Sequence, residues 1–259
     1  MSNITISNKQ TIYYELIDGD KSKPYLIFLH EGLGCVAMYK DFHKHLCAKT
    51  NCPGLVYDRA GYGKSSPFTR NRTVNYLHEY ALNELPELIA AVIPDKPFIL
   101  IGHSDGGSIS LIYGSERPDY LKGIITAAAH VFVDQMTIDG IIKANAAFAA
   151  GKLSGLFKLH GEKTDSIFKA WSSTWLSDWF KHWNIEYLLP SVNVPLLVIQ
   201  GKDDQYGTIA QVNSIVSKSS GKAEQLLIDG CGHSPHQDAP ELVIDAISEF
   251  IDRLEKAEE

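Results

Sequence analysis

Four cysteines in 259 residues, none in a C-x-x-C pair, leave this chain without a zinc-site spacing or a disulfide framework. Cys35, Cys47, Cys52 and Cys231 are expected as reduced thiols. No apolar run reaches the length a bilayer requires, and the opening MSNITISNKQTIYYE carries neither a basic n-region nor an apolar h-region. A soluble, cytoplasmic protein without a membrane partner is the expectation. Positive charge is scarce too: 24 Lys and Arg against 31 Asp and Glu give a net charge of −7 and no basic stripe. That argues against nucleic acid and anionic lipid, and leaves a small-molecule partner. Ten histidines are present, but neither His233, His236 and Asp238 nor His43 and His45 share a helix face at ligand spacing. No metal and no cofactor is expected, and the chain is read as a monomer or homodimer.

What the chain does contain is a series of short apolar runs: YLIFL (25–29), GLVY (54–57), FILI (98–101), GIITAA (123–128), LLVI (196–199) and QLLI (225–228). They do not alternate with polar residues, so both faces must be covered, as in a parallel sheet between helix layers. Segments with apolar spacing of three and four lie between them, among them NYLHEYALNELPELIAAVI and PELVIDAISEFIDRLEK. This βαβ rhythm implies an α/β fold. The opening NITISNKQTIYYELI reads as an antiparallel hairpin at the sheet edge.

The rhythm stops between about residues 131 and 190, where the helical period continues without strand signals. The expected organisation is a core of residues 1–130 and 191–259 with a helical cap, 131–190, inserted between strands. All four tryptophans lie in AWSSTWLSDWFKHW, at 171, 175, 179 and 183, and on one continuous helix they would form a slowly winding stripe. Such a stripe is either core packing or an aromatic roof over a site, to which Phe132, Phe148, Phe157 and Phe168 would add.

Between a buried-strand pattern and a helix pattern stands Gly102-His103-Ser104-Asp105-Gly106-Gly107. G-x-S-x-G alone is a weak signal, but a sharp strand-to-helix turn at this place presents the serine hydroxyl at the carboxyl edge of the sheet. Serine is a poor nucleophile without a base, and the base needs an orienting acid. LLVIQGKDDQYG ends a strand at Gly201 and supplies two acids; Asp204, three past the glycine, has room to swing to the edge, with Asp203 the competitor. QLLIDGCGHSPHQDAPE supplies His233 in a short loop before the last helix, with His236 the runner-up. His30 and His103 flank the same region and more often fix loops than perform chemistry.

With elbow, insertion, acid and histidine in this order, the chain resembles an α/β-hydrolase-fold enzyme over essentially its whole length. The resemblance implies a mostly parallel central sheet flanked by helices, a catalytic triad of Ser104, Asp204 and His233, and an oxyanion hole from two backbone N–H groups. One belongs to Asp105; the other is assigned to Gly32, because His30-Glu31-Gly32-Leu33-Gly34 is similar to the family's H-G-G-x-G. Glu31 departs from that motif, and either disfavours anionic substrates or turns away to bind backbone amides. The side chain of Asp105 either favours the helix's first turn or reaches substrate or cap. A hydrophobic pocket over Ser104 would take in Glu31, Trp171, Trp175 and Trp179. The expected activity is cofactor-free hydrolysis of a small ester, lactone or thioester. Two rivals stand beside it: carbon–carbon bond hydrolysis or a lyase step on the same fold, and a ligand-binding receptor on a hydrolase scaffold.

Overall fold

The computed structural model describes residues 2–258. Eight strands form one sheet: β1 (Ser2–Thr5), β2 (Thr11–Ile17), β3 (Tyr25–Leu29), β4 (Gly54–Tyr57), β5 (Phe98–His103), β6 (Leu121–Ala127), β7 (Leu196–Gly201) and β8 (Ala223–Ile228). Their spatial order is β1-β2-β4-β3-β5-β6-β7-β8. The β1–β2 and β2–β4 pairs are antiparallel and the rest parallel. Every apolar run named above is a strand, and the opening segment is the expected edge hairpin.

The strands read as continuous apolar runs because both faces are buried. Leu26 and Phe28 point into a cluster with Leu46, Ile247 and Phe250, whereas Ile27 and Leu29 point into the opposite cluster with Ile109 and Ile112. The first face is covered by α1 (Phe42–Thr50) and α10 (Pro240–Glu258). Along α10 the buried positions Val243, Ile247, Phe250 and Ile251 follow the three-and-four spacing, so one stripe of the helix meets the sheet. The second face carries α2 (Tyr76–Glu79), α3 (Leu85–Val92), α4 (Asp105–Ser115) and α8 (Ile209–Lys218). A π-turn, Tyr80–Glu84, joins α2 to α3 just before Pro86. Proline offers no N–H and crowds the carbonyl four residues back, which widens the preceding turn.

Between β6 and β7 the chain forms α5 (Gln135–Ala149), α6 (Gly155–His160) and α7 (Thr164–Trp175), tied at its base by an isolated bridge between Phe132 and Asn184. Asp134 caps α5, accepting from the Thr137 N–H at 2.9 Å. A short α9 (Pro235–Asp238) precedes α10.

The tryptophan stripe is not one helix. α7 ends at Trp175, where Thr174 and Ser177 hydroxyls bond back to the carbonyls of Ala170 and Thr174 at 2.7 and 2.6 Å. Such side chains compete with the helical ladder, and the chain turns. Phe180 and Trp183 consequently fold under Trp175, with ring centroids 5.0 and 5.7 Å from it, while Trp179 is 51% exposed.

Strand order decides what can meet. The chain leaves β3 for β4 on one side and returns to β5 on the other, so the loops after β3 and β5 lie together at the carboxyl edge, at a topological switch point. The loops after β7 and β8 open at the same edge.

Candidate active site

Ser104 follows β5 in a conformation that non-glycine residues avoid, φ 51° and ψ −115°. It is sustained by close backbone approach. A Cβ on Gly102 would lie 2.2 Å from the Gly106 carbonyl oxygen, and one on Gly106 would lie 2.1 Å from that of Leu29. Only hydrogen fits at both places, which is the physical content of the G-x-S-x-G spacing.

Three side chains from three loops converge. Ser104 Oγ lies 3.0 Å from His233 Nε2, and His233 Nδ1 lies 2.9 and 3.0 Å from the two carboxylate oxygens of Asp204. With the ring proton on Nδ1 donated to Asp204, Nε2 is left as the acceptor for the serine hydroxyl. Asp204 is buried and also accepts from the Tyr206 and Gly207 N–H groups at 2.8 and 3.2 Å. Burial pushes its carboxyl up, but the hydrogen bond and charge of His233 outweigh that and hold it below its ordinary value. Asp203 is exposed. His236 packs instead among Tyr39, Phe42 and His103, and burial lowers it to about 4, an inert neutral ring. His103 donates from Nε2 to the His233 carbonyl at 2.7 Å and so fixes the loop that carries His233.

The loop after β3 is held from several sides. His30 donates from Nδ1 to the Glu31 carbonyl and accepts the Arg59 N–H at Nε2. The Arg59 guanidinium, fully buried, donates to the carbonyls of His30 and Glu31, and Tyr62 donates its hydroxyl to that of Gly32. His160, from α6, accepts the Gly63 N–H and donates to the Leu33 carbonyl at 2.8 Å. Glu31 takes the Leu33 N–H at 2.6 Å, so that amide is engaged. Gly32 has no room for a side chain, since a Cβ there would stand 2.6 Å from Trp171 Cδ1. The Asp105 N–H opens α4, where no intrahelical acceptor exists.

Asp105 does more than sit in a first turn. Its Oδ2 accepts from the Tyr76 hydroxyl at 3.1 Å and lies 3.9 Å from Arg59 Nη2, and Tyr76 in turn accepts from Trp175 Nε1 at 3.0 Å. The chain from elbow to insertion is thus continuous. Glu31 binds a backbone amide, as one of its two expectations had it, but it does so without turning away from the cavity.

That cavity, about 150 Å³, is bounded by Ser104, His233, Glu31, Asp105, Trp171, Trp175 and residues of α5 and the Asp204 loop. Trp179 and the four phenylalanines do not line it: Phe148 stacks on Phe168 at 3.9 Å and Phe157 is half exposed. A larger cavity, about 460 Å³, opens beside the β1–β2 turn and touches none of Ser104, Asp204 and His233. Sequence reasoning passed over Arg59, Tyr62, Tyr76, His130 and His160. For the first two a signal existed: charged and aromatic residues in a glycine turn, DRAGYG, directly after a buried strand at the same sheet edge. Among the described residues no cluster of His, Cys, Asp and Glu fits a metal ion, and no helix is long and apolar enough to cross a membrane.

A family model described as alpha/beta hydrolase family matches residues 26–246. A putative esterase/lipase 2 of Mycoplasma genitalium is 29% identical over 280 aligned residues, covering 96% of this chain and 98% of the relative. Among solved structures, a proline iminopeptidase of Mycobacterium smegmatis superposes with a TM-score of 0.75 at 16% identity, covering the whole of both chains. An esterase of Thermogutta terrifontis does so at 0.72 and 19% identity over 98% of each.

Proposed function

Since the chain belongs to the alpha/beta hydrolase family and is a hydrolase of that fold, we propose that it cleaves a small ester, lactone or thioester with a hydrophobic portion through an acyl-serine at Ser104. The observation that carries this reading is the 3.0 Å contact from His233 Nε2 to Ser104 Oγ at a strained elbow. His233 takes the serine proton as Oγ attacks the carbonyl carbon, and Asp204 stabilises the imidazolium that forms. The N–H groups of Asp105 and Gly32 receive the developing oxyanion; losing one such donor typically costs about 10²-fold or more. The protonated imidazole then gives its proton to the leaving oxygen or sulfur. Water, deprotonated by the same ring, attacks the acyl-serine and releases acid and enzyme. The aromatic walls from the insertion, residues 131–190, act as a cap that excludes bulk water and favours an apolar acyl group.

The test is labelling by a fluorophosphonate probe with turnover of p-nitrophenyl acetate and butyrate. Wild-type protein labels at Ser104 and turns over both esters; Ser104→Ala keeps the fold and loses both signals. Wild-type rates in that variant would remove Ser104 from the mechanism. An acyl-serine seen by mass spectrometry separates ester hydrolysis from a base-only lyase step, and measurable turnover separates either from a ligand receptor.

A further inference from the structure

The fixed charges around the catalytic cavity are all of one sign. Its walls include Glu31 and Asp105 and contain no lysine or arginine. The two histidines beside the triad do not offset them: burial drives His103 well below its ordinary value and lowers His130 too, so both rings are neutral. The nearest guanidinium, Arg59, is committed behind the wall, to two carbonyls and to Asp105. Asp105 therefore has a cation in contact, whereas Glu31 feels Arg59 and His233 only through space, and burial raises its carboxyl above the ordinary value. Glu31 spends Oε2 on the Leu33 N–H, and its Oε1 has no partner among the described residues. Glu31 directly precedes the proposed oxyanion donor Gly32, and Asp105 Oδ1 lies 3.3 Å from where a Gly32 Cβ would stand.

An apolar acyl group leaves Glu31 Oε1 without a partner, and the tetrahedral oxyanion would grow beside that carboxyl. A substrate that brings its own positive charge reverses the sign of the effect: Glu31 then binds the substrate and loses its penalty on the transition state. The remaining walls suit such a group. Trp171, Trp175 and Tyr206 present aromatic surface to the same small volume, and ring faces attract ammonium ions.

We propose that Glu31 is a specificity-determining residue that selects acyl groups bearing a cationic nitrogen two or three bonds from the scissile carbonyl and rejects anionic ones. This rests on the serine-hydrolase reading above and names its substrate class.

Three ethyl esters of matched shape test it at neutral pH: β-alanine ester, butanoate and monosuccinate, which differ at the far end by ammonium, methyl or carboxylate. Wild-type enzyme is expected to rank them in that order by kcat/KM. Glu31→Gln retains an oxygen for the Leu33 N–H and removes the charge. It is expected to lower the β-alanine to butanoate ratio by about tenfold or more, the usual scale of a charge-assisted hydrogen bond. The ratio cancels differences in intrinsic ester reactivity and any general loss of activity. A ratio that shifts by less than about twofold between the two proteins overturns the inference and leaves the hydrolase reading standing. Lack of turnover of every ester together with lack of labelling at Ser104 overturns both. Should Glu31→Gln fail to fold, protection of Ser104 from fluorophosphonate in the wild-type protein decides: butylammonium must protect better than 1-butanol, and butanoate worst. Equal protection by the three overturns the selection.

Discussion

The carboxyl edge of the sheet and the insertion between β6 and β7 both contribute walls to one cavity, yet they are built on different terms. At the edge, ladder hydrogen bonds set each strand end, and loops of a few residues leave their side chains little choice of place. Gly102 and Gly106 tolerate no Cβ, and Ser104 is held at positive φ by what surrounds it. In the insertion, apart from the bridge at its base, placement rests mainly on helices and side-chain packing. Gly151 and Gly155 have open space around them, and one tryptophan of the cluster faces outward. Placement is strict where backbone meets backbone and permissive where side chain meets side chain.

The sharpest way to break this contrast is to exchange roles between residues that look alike. His233→Ala should lower kcat/KM for p-nitrophenyl butyrate by about 10³-fold or more, whereas His236→Gln, whose ring lies outside hydrogen-bond reach of Ser104, should cost less than about tenfold. Equal losses would dissolve the distinction between the two histidines. Trp175→Ala should cost about 3–5 kcal/mol in urea unfolding, because it empties a buried site and removes the N–H that the Tyr76 hydroxyl accepts. Trp179→Ala should stay within about 0.5 kcal/mol. Gly106→Ala should destabilise by about 3 kcal/mol or more, driving a methyl into the Leu29 carbonyl, while Gly155→Ala, at the start of α6, should gain up to about 1 kcal/mol.

The smallest expected effect concerns pH. Glu84 gives one oxygen to the Ala60 N–H in the loop that carries Arg59, and burial raises its carboxyl from 4.5 to about 8. Between those values the folded chain keeps a proton that the unfolded chain releases, so folding stability falls as pH rises across that window. Glu84→Gln should flatten the slope, seen as a few degrees less loss of Tm between mildly acidic and mildly alkaline buffer. An unchanged slope would place the titrating group elsewhere.

How much of this was legible beforehand follows the same division. The strands were readable because burial on both faces leaves an apolar run that no helix or loop imitates at that length. The elbow was readable because its glycines are demanded by backbone contact, and Asp204 and His233 because each follows a strand by a few residues. The end of α7 was not, since Thr174 and Ser177 look like ordinary surface residues until their hydroxyls turn back on the helix. Tyr76 and His160 were not, since their partners lie far along the chain, whereas Arg59 left a signal in the DRAGYG turn that named no partner. The sequence by itself determined which segments are strands, their placement at a common edge, and the residue types that edge carries. Only tertiary structure decided which histidine faces the serine, which tryptophans face the cavity, and that Glu31 stands among walls that hold no lysine or arginine. Periodicity and local turns are written in neighbouring residues, whereas charge compensation and cavity walls depend on groups that meet only when the layers close.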